Sequence, residues 1–290
     1  MVSSPDITLP DNLDGTDVHA LEAMRRRLAI WSIRMTTAAG SGHPSSCLSA
    51  AHIVTALYFG GFLRFDPAQP KWPDRDRFIL SKGHAAPILY AALAERGVFP
   101  TELLMTLRQI GSPVEGHPNA RRLPGVEAST GSLGQGLSLG LGMALAARLQ
   151  ARAFRVFVLT GDGELNEGQV WEAAMAAAKY HVDNLVAIVD RNNYQQSGAG
   201  DDVLPLDPLV GKWQAQGWAT LEIDGHDWGQ VLAALQEASD VQGRPAVIIA
   251  HTQKGYGVAE ILADPVNKYH GVPLKPEAAE RAIAAIEAAA

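Results

Sequence analysis

Apolar residues recur at spacings of three and four through residues 16–39, at Leu21, Met24, Leu28, Trp31 and Met35, behind a capping Thr16 or Asp17. That is the period of a helix with one buried face. Ser41-Gly42-His43-Pro44 ends it, and further helices are predicted over 47–60 and 86–96. Between these two lie a loop rich in Pro and Asp, 65–76, and a short apolar run, 77–80. Residues 111–140 are rich in Gly, Pro and Ser and too long for a simple connection, which marks them as a binding loop. From Arg155 onward the pattern changes to short β-rich runs, 156–160, 185–190, 218–224 and 245–251, separated by helical patterns at 169–181, 211–217 and 228–239. Strands alternating with helices predict βαβ units, hence an α/β fold whose parallel sheet carries helices on both faces. Ligands of such sheets sit beyond the carboxyl ends of the strands. A polar tail, 1–15, precedes the domain expected over 16–275, and the Ala- and Glu-rich stretch 276–290 reads as a surface helix.

The length of 290 residues allows one large domain or two small ones, with a core and room for a cleft. With 24 Lys and Arg against 31 Asp and Glu, the net charge is −7, and no long run of like charge occurs. This excludes a surface that tracks nucleic acid or an anionic membrane, so an anionic ligand has to be held locally. The single cysteine, Cys47, has no partner within the chain and reads as a small buried residue in a reducing compartment. The first residues lack the basic start and apolar centre of a signal peptide, and no apolar stretch approaches about 18 residues. A soluble, cytoplasmic protein is expected.

The run 156–160 leads into Gly161-Asp162-Gly163-Glu164, and the next strand ends in Asp190-Arg191-Asn192-Asn193, with Asp162 and Asn192 thirty residues apart. One strand-helix-strand unit spans that separation, so both side chains emerge at the same sheet edge. A carboxylate and an amide oxygen are hard ligands suited to Mg²⁺ or Ca²⁺. Gly161 and Gly163 let backbone N–H groups approach phosphate oxygens, which the cation would bridge. Gly-Asp-Gly alone is a common turn. Paired with Asn at the following strand end, it resembles the thiamine diphosphate fingerprint. No P-loop occurs, and Gly131-Ser132-Leu133-Gly134-Gln135-Gly136 departs from dinucleotide-binding spacing.

Within the thiamine enzymes the chain resembles the N-terminal half of a transketolase, from about Ala20 to Leu274. The resemblance rests on Ser41-Gly42-His43-Pro44, the segment from Asp76 to Ala85 with its Ser81-Lys82-Gly83-His84, Gly116-His117-Pro118, and Leu123-Pro124-Gly125-Val126-Glu127. Thr130-Gly131-Ser132-Leu133-Gly134-Gln135-Gly136, the Gly-Asp-Gly unit with Glu167-Gly168, and Tyr269-His270-Gly271-Val272-Pro273-Leu274 follow in the family's order. It implies thiamine diphosphate with a divalent metal, and transfer of a two-carbon ketol group from a ketose phosphate to an aldose phosphate in pentose phosphate-type carbohydrate metabolism. It further implies that Asp162, Asn192 and the carbonyl of Tyr194 hold the metal, with Gly163 and Asn192 at the diphosphate. Gly131, Ser132 and Leu133 would meet the thiamine ring through the backbone. His43, His84, His117 and His270 would face the reactive end, where His84 and His270 also approach the diphosphate.

Imidazole suits that place, because cleaving a ketose between C2 and C3 removes a proton from the C3 hydroxyl at a pH where histidine titrates. His43 and His270 are the candidates for that transfer, and His117 for holding the C1 hydroxyl. His19, His52, His181, His226 and His251 match none of the motifs and read as surface or core residues, and Lys82 reads as a solvated charge ahead of a phosphate contact. Several of the departures from the usual family pattern, Ser45-Ser46, Glu115, Ser132 and Arg191, fall near the expected substrate channel and leave the sugars open.

Thiamine catalysis also needs a carboxylate on N1′ of the aminopyrimidine. In transketolases this glutamate lies in a second, pyrimidine-binding domain. The expectation is a partner subunit that carries that domain, an active site between the two chains, and a heterotetramer with two of each. Glu167 matches an interface glutamate that touches the partner's activating glutamate. The rival readings are the α subunit of a 2-oxo acid dehydrogenase E1 component, and a non-catalytic scaffold that binds the cofactor without turnover.

Overall fold

The computed structural model describes residues 17–264 and 267–289, so the expected tail, 1–15, lies outside the described residues. Five strands, β1 (Arg77–Leu80), β2 (Val156–Gly161), β3 (Leu185–Arg191), β4 (Ala219–Asp224) and β5 (Ala246–His251), form one parallel sheet in the order β1-β2-β3-β5-β4. The helices are α1 (Val18–Ala39), α2 (Pro44–Ser49), α3 (Ala51–Phe59), α4 (Ala86–Glu95), α5 (Gln135–Leu149), α6 (Gly168–Lys179), α7 (Gly200–Val203), α8 (Leu209–Ala215), α9 (Trp228–Asp240), α10 (Ala259–Leu262) and α11 (Pro276–Ala288). The α/β architecture expected from the alternation is the one observed.

The central strands are buried on both faces, which is why they read as continuous apolar runs. Successive side chains divide between two cores. Phe78, Leu80, Phe157, Leu159, Val186 and Ile188 pack with α1, α3, α4 and α9. Ile79, Val156, Val158, Ala187 and Val189 pack with α5, α6 and α8. Asp17 caps α1 by accepting from Ala20 N at 3.0 Å.

Two predicted stretches differ from expectation. The stretch 47–60 is two helices: α2 begins earlier, at Pro44, a residue favoured at the first helical position, and α3 follows a turn at Ala50. The segment 111–140 ends in helix α5, hidden in the sequence by its glycines. A Cβ on Gly136 would stand 2.2 Å from Ser81 Oγ, and one on Gly140 would stand 2.5 Å from Val158 Cγ2, so these glycines let α5 lie directly on the sheet. The closing helix α11 is the surface helix expected there, with Ala279, Ala282 and Ile286 on its one buried face against Ala29 and Ile33 of α1. Among the described residues no helix is long and apolar enough to cross a membrane.

Candidate active site

The register of β2 and β3 pairs Gly161 with Asp190, so Asp162 and Asn192 leave neighbouring strands at the same carboxyl edge. Asp162 is only 4% exposed; its Oδ1 accepts from Gly163 N at 2.8 Å and its Oδ2 from Asn193 N at 2.5 Å. Asn192 Oδ1 accepts from Tyr194 N at 3.1 Å, across a left-handed turn at Asn193 with φ of 62°. Each of these oxygens keeps a second lone pair. Burial, and then the nearby Asp190 carboxylate, pushes Asp162 up to about 6. The Gly163 amide, expected at a phosphate, is engaged by Asp162 itself.

Beneath this edge lies an ionic web. Lys82, expected to be solvated, is 1% exposed and its ammonium pairs with Asp190, which is completely buried. Asp190 also accepts from Ser49 Oγ at 2.6 Å and from Thr252 Oγ1, and Lys82 Nζ donates to Ser46 O at 3.0 Å. Burial pushes the Asp190 carboxyl up, but the Lys82 ammonium and these hydrogen bonds outweigh it and hold the group below its usual range. Glu164, not singled out in the sequence, accepts from Ser81 Oγ, from Gly134 N at 2.9 Å and from Gly161 N at 3.1 Å. It thereby ties the ends of β1 and β2 to the start of α5.

Three imidazoles stand in a triangle. Ring centroids are 5.1 Å apart for His43 and His84, 5.2 Å for His43 and His270, and 5.4 Å for His84 and His270. His117 is more exposed and rests against Gly131, where a Cβ would come within 2.8 Å of the ring. Burial, then the neighbouring Arg108, lowers His43 to about 4; burial, then Lys254, lowers His270 to about 3. Burial and Lys82 hold His84 well below its usual value, and burial and Arg108 lower His117. At neutral pH all four rings are uncharged.

Lys254 was not legible in the sequence as part of the site, although it lies three residues past the end of β5, at the edge where ligands of such sheets sit. Its Nζ is 2.7 Å from His270 Nδ1, and burial, then Lys82, lowers the ammonium to about 7.

One cavity of about 450 Å³ joins these parts. Asp162, Gly163, Asn192 and Tyr194 border it together with His43, His84, His117 and His270, and Gly131 and Leu133 add to the wall. Glu167 borders it as an exposed residue, whereas Ser132 is exposed and off the wall. The residues fit a diphosphate held through a divalent cation. One carboxylate, one amide oxygen and a carbonyl are hard donors, Lys82 and Lys254 line the cavity, and His43 Nδ1 and Gln195 Nε2 are buried with no hydrogen-bond partner among the described residues. No group of three or more His, Cys, Asp or Glu side chains converges on a metal position among the described residues, so a cation held here would need ligands beyond these side chains.

A parallel sheet with a carboxylate and an amide at adjoining strand ends, facing clustered histidines, defines an α/β protein built to hold a diphosphate cofactor beside a polar substrate. Residues 19–286 match the family model described as transketolase, thiamine diphosphate binding domain, and the chain belongs to that family. It is 45% identical, over 95% of its length, to transketolase-like protein 2 of Bos taurus, of which it spans 44%. It is 42% identical to the 6-deoxy-6-sulfo-D-fructose transketolase subunit SqwG of Clostridium sp. (strain MSTE9), over 86% of this chain and 89% of that one. The crystal structure of transketolase from Campylobacter jejuni superposes with a TM-score of 0.87 at 32% identity, covering 93% of this chain and 43% of the other. The chain thus spans less than half the length of the full-size relatives. The dehydrogenase and scaffold readings are not favoured by these matches.

Proposed function

We propose that the chain is the diphosphate-binding subunit of a two-subunit transketolase, which moves a two-carbon ketol group from a ketose phosphate to an aldose phosphate. The observation that carries this reading is the single cavity bordered by both the Asp162–Asn192 edge and the histidine triangle. Asp162, Asn192 and the Tyr194 carbonyl would hold Mg²⁺ (or Ca²⁺), while Lys254 and His84 would face the diphosphate. Thiamine diphosphate, when bound, supplies the nucleophilic carbon and the electron sink for cleaving the C2–C3 bond.

The protein's own part is proton transfer and orientation. While Lys254 keeps its proton it donates to His270 Nδ1, so His270 carries its proton on Nε2 and is a donor to a substrate oxygen. His43, whose Nδ1 has no partner among the described residues, is the ring left to take the proton of the C3 hydroxyl. His117, at the more exposed side, suits the C1 hydroxyl.

The aminopyrimidine carboxylate would come from a partner subunit, with the exposed Glu167 at the contact and two copies of each chain. A relative of similar length bearing the name of a transketolase subunit supports this division. That relative is named for a sulfosugar, so the donor panel has to extend beyond xylulose and sedoheptulose phosphates. A cytoplasmic setting suits the buried, unpaired Cys47. The test is co-expression with a chain carrying a pyrimidine-binding domain, followed by a donor and acceptor panel. Ketol transfer is expected only from the complex; turnover by this chain alone would overturn the two-subunit reading.

A further inference from the structure

Two histidines outside the transketolase motifs meet beneath the sheet edge. His52 of α3 is buried, and its Nδ1 lies 3.1 Å from Nδ1 of His226, in the turn after β4. The other nitrogen of His226, Nε2, accepts from the backbone N–H of Gln253 at 2.8 Å. Tyr256 stacks on His226 with centroids 3.8 Å apart, and His52 Nε2 faces Glu22 at 3.9 Å. Donor and acceptor parity assigns the protons. Because Nε2 of His226 accepts, the neutral ring carries its proton on Nδ1 and donates to Nδ1 of His52. His52 is then protonated on Nε2, toward the Glu22 carboxylate.

The place of Gln253 in the sheet explains why a side chain is used. β4 and β5 pair through Asp224 and His251, and the ladder closes with Gly225 N donating to His251 O at 2.7 Å. In a parallel ladder the next donor on β5 is the Gln253 amide, but β4 has already turned away. The His226 ring stands where the missing carbonyl would be. Gln253 lies between Thr252, whose hydroxyl donates to Asp190, and Lys254, whose Nζ meets His270.

We propose that His226, kept in its Nδ1–H form by His52, is a positioning residue: it clamps the Gln253 backbone and so holds Lys254 against His270 in the cavity. The role in catalysis rests on the proposed function; the clamp itself does not. A proton added to Nε2 of His226 would turn the acceptor into a donor facing an N–H, so the clamp opens on acidification. The charged and titratable groups around the pair are Glu22 and Arg25 from α1, Asp224 and Asp190 at the strand ends, and the Tyr256 phenol. Burial, then Arg25, lowers His52 to about 3, and burial, against the pull of Asp190 and Asp224, lowers His226 to about 4, so both rings are neutral at pH 7.

Two substitutions separate a clamp from mere packing. His226→Phe keeps a ring on Tyr256 but has no acceptor, whereas His226→Gln loses the ring and offers an amide oxygen to the same N–H. In the full chain, Phe is expected to raise hydrogen exchange at the Gln253 amide by about tenfold. It is also expected to move the Lys254 titration, followed by ¹³Cε NMR, upward by about one pH unit. Gln is expected to restore both. Phe behaving as wild type, or Gln faring worse than Phe, would overturn the clamp. Should Phe fail to fold, ring ¹⁵N spectra of the unaltered chain decide: Nδ1–H on His226 with Nε2–H on His52 supports it, and the opposite pair overturns it. None of these readouts needs cofactor or partner. Failure of the unaltered chain to bind inorganic pyrophosphate with Mg²⁺ would count against the functional reading alone.

Discussion

Replacing Lys82 with Met removes the ammonium from a carboxylate that has no access to water, since Asp190 is fully buried. Taking away one partner of a buried ion pair costs about 3–5 kcal/mol, because the remaining charge is left uncompensated. Ser49 and Thr252 still donate to Asp190, which places the expected loss near the lower end, about 3 kcal/mol. Against a domain stability of roughly 5–15 kcal/mol this is a large fraction. Urea unfolding followed by circular dichroism at pH 7 measures it. The double variant Lys82→Met with Asp190→Asn should be more stable than Lys82→Met alone, because no buried charge then remains. The pH dependence follows the same logic. The folded-state pKa of Asp190 is lowered, so its contribution is present above the ordinary carboxylate value and is lost as pH falls through the lower folded value. Without Lys82 that acid limit should move to higher pH. A loss under about 1 kcal/mol for Lys82→Met, or a further loss on adding Asp190→Asn, would refute the assignment of this pair as the support of the sheet edge.

His43→Ala should slow donor cleavage in the assembled enzyme by roughly 10²-fold or more while leaving cofactor affinity largely intact. Single-turnover kinetics with calorimetry separate the two, and an unchanged rate would remove the ring from proton transfer. Asp162 titrates at about 6 in the folded chain against 3.8 as an ordinary carboxyl. Its raised value contributes stability below the ordinary pKa, and that contribution disappears as pH rises through about 6. Metal-free wild type should therefore lose about 2 kcal/mol relative to Asp162→Asn between pH 4 and pH 7. Mg²⁺ with a diphosphate should abolish the difference, and parallel unfolding curves for the two proteins across that range would contradict the burial of a free carboxylate.

The sheet was legible because both faces of β1, β2, β3 and β5 are buried, so β-rich apolar runs alternate with helical periods in the sequence. Helix α5 was not, since the glycines that bring it onto β1 and β2 look like loop residues when the packing partner is unseen. The site shows the same division. Asp162 and Asn192 are separated by one βαβ unit, and their meeting follows from local geometry. The partner of Lys82 is 108 residues away, and nothing near Lys82 in sequence says that its charge is buried. Lys254 and Glu164 act through neighbours contributed by other elements, so their chemistry belongs to the tertiary fold.

The direct test of the account is calorimetric titration of thiamine diphosphate into the protein with and without Mg²⁺, using wild type and Asp162→Ala. Binding that requires Mg²⁺ in the wild type and is lost in the variant is the expected result. Equal affinity in the two proteins, or affinity indifferent to Mg²⁺, would contradict the clamp of cation and diphosphate at the ends of β2 and β3.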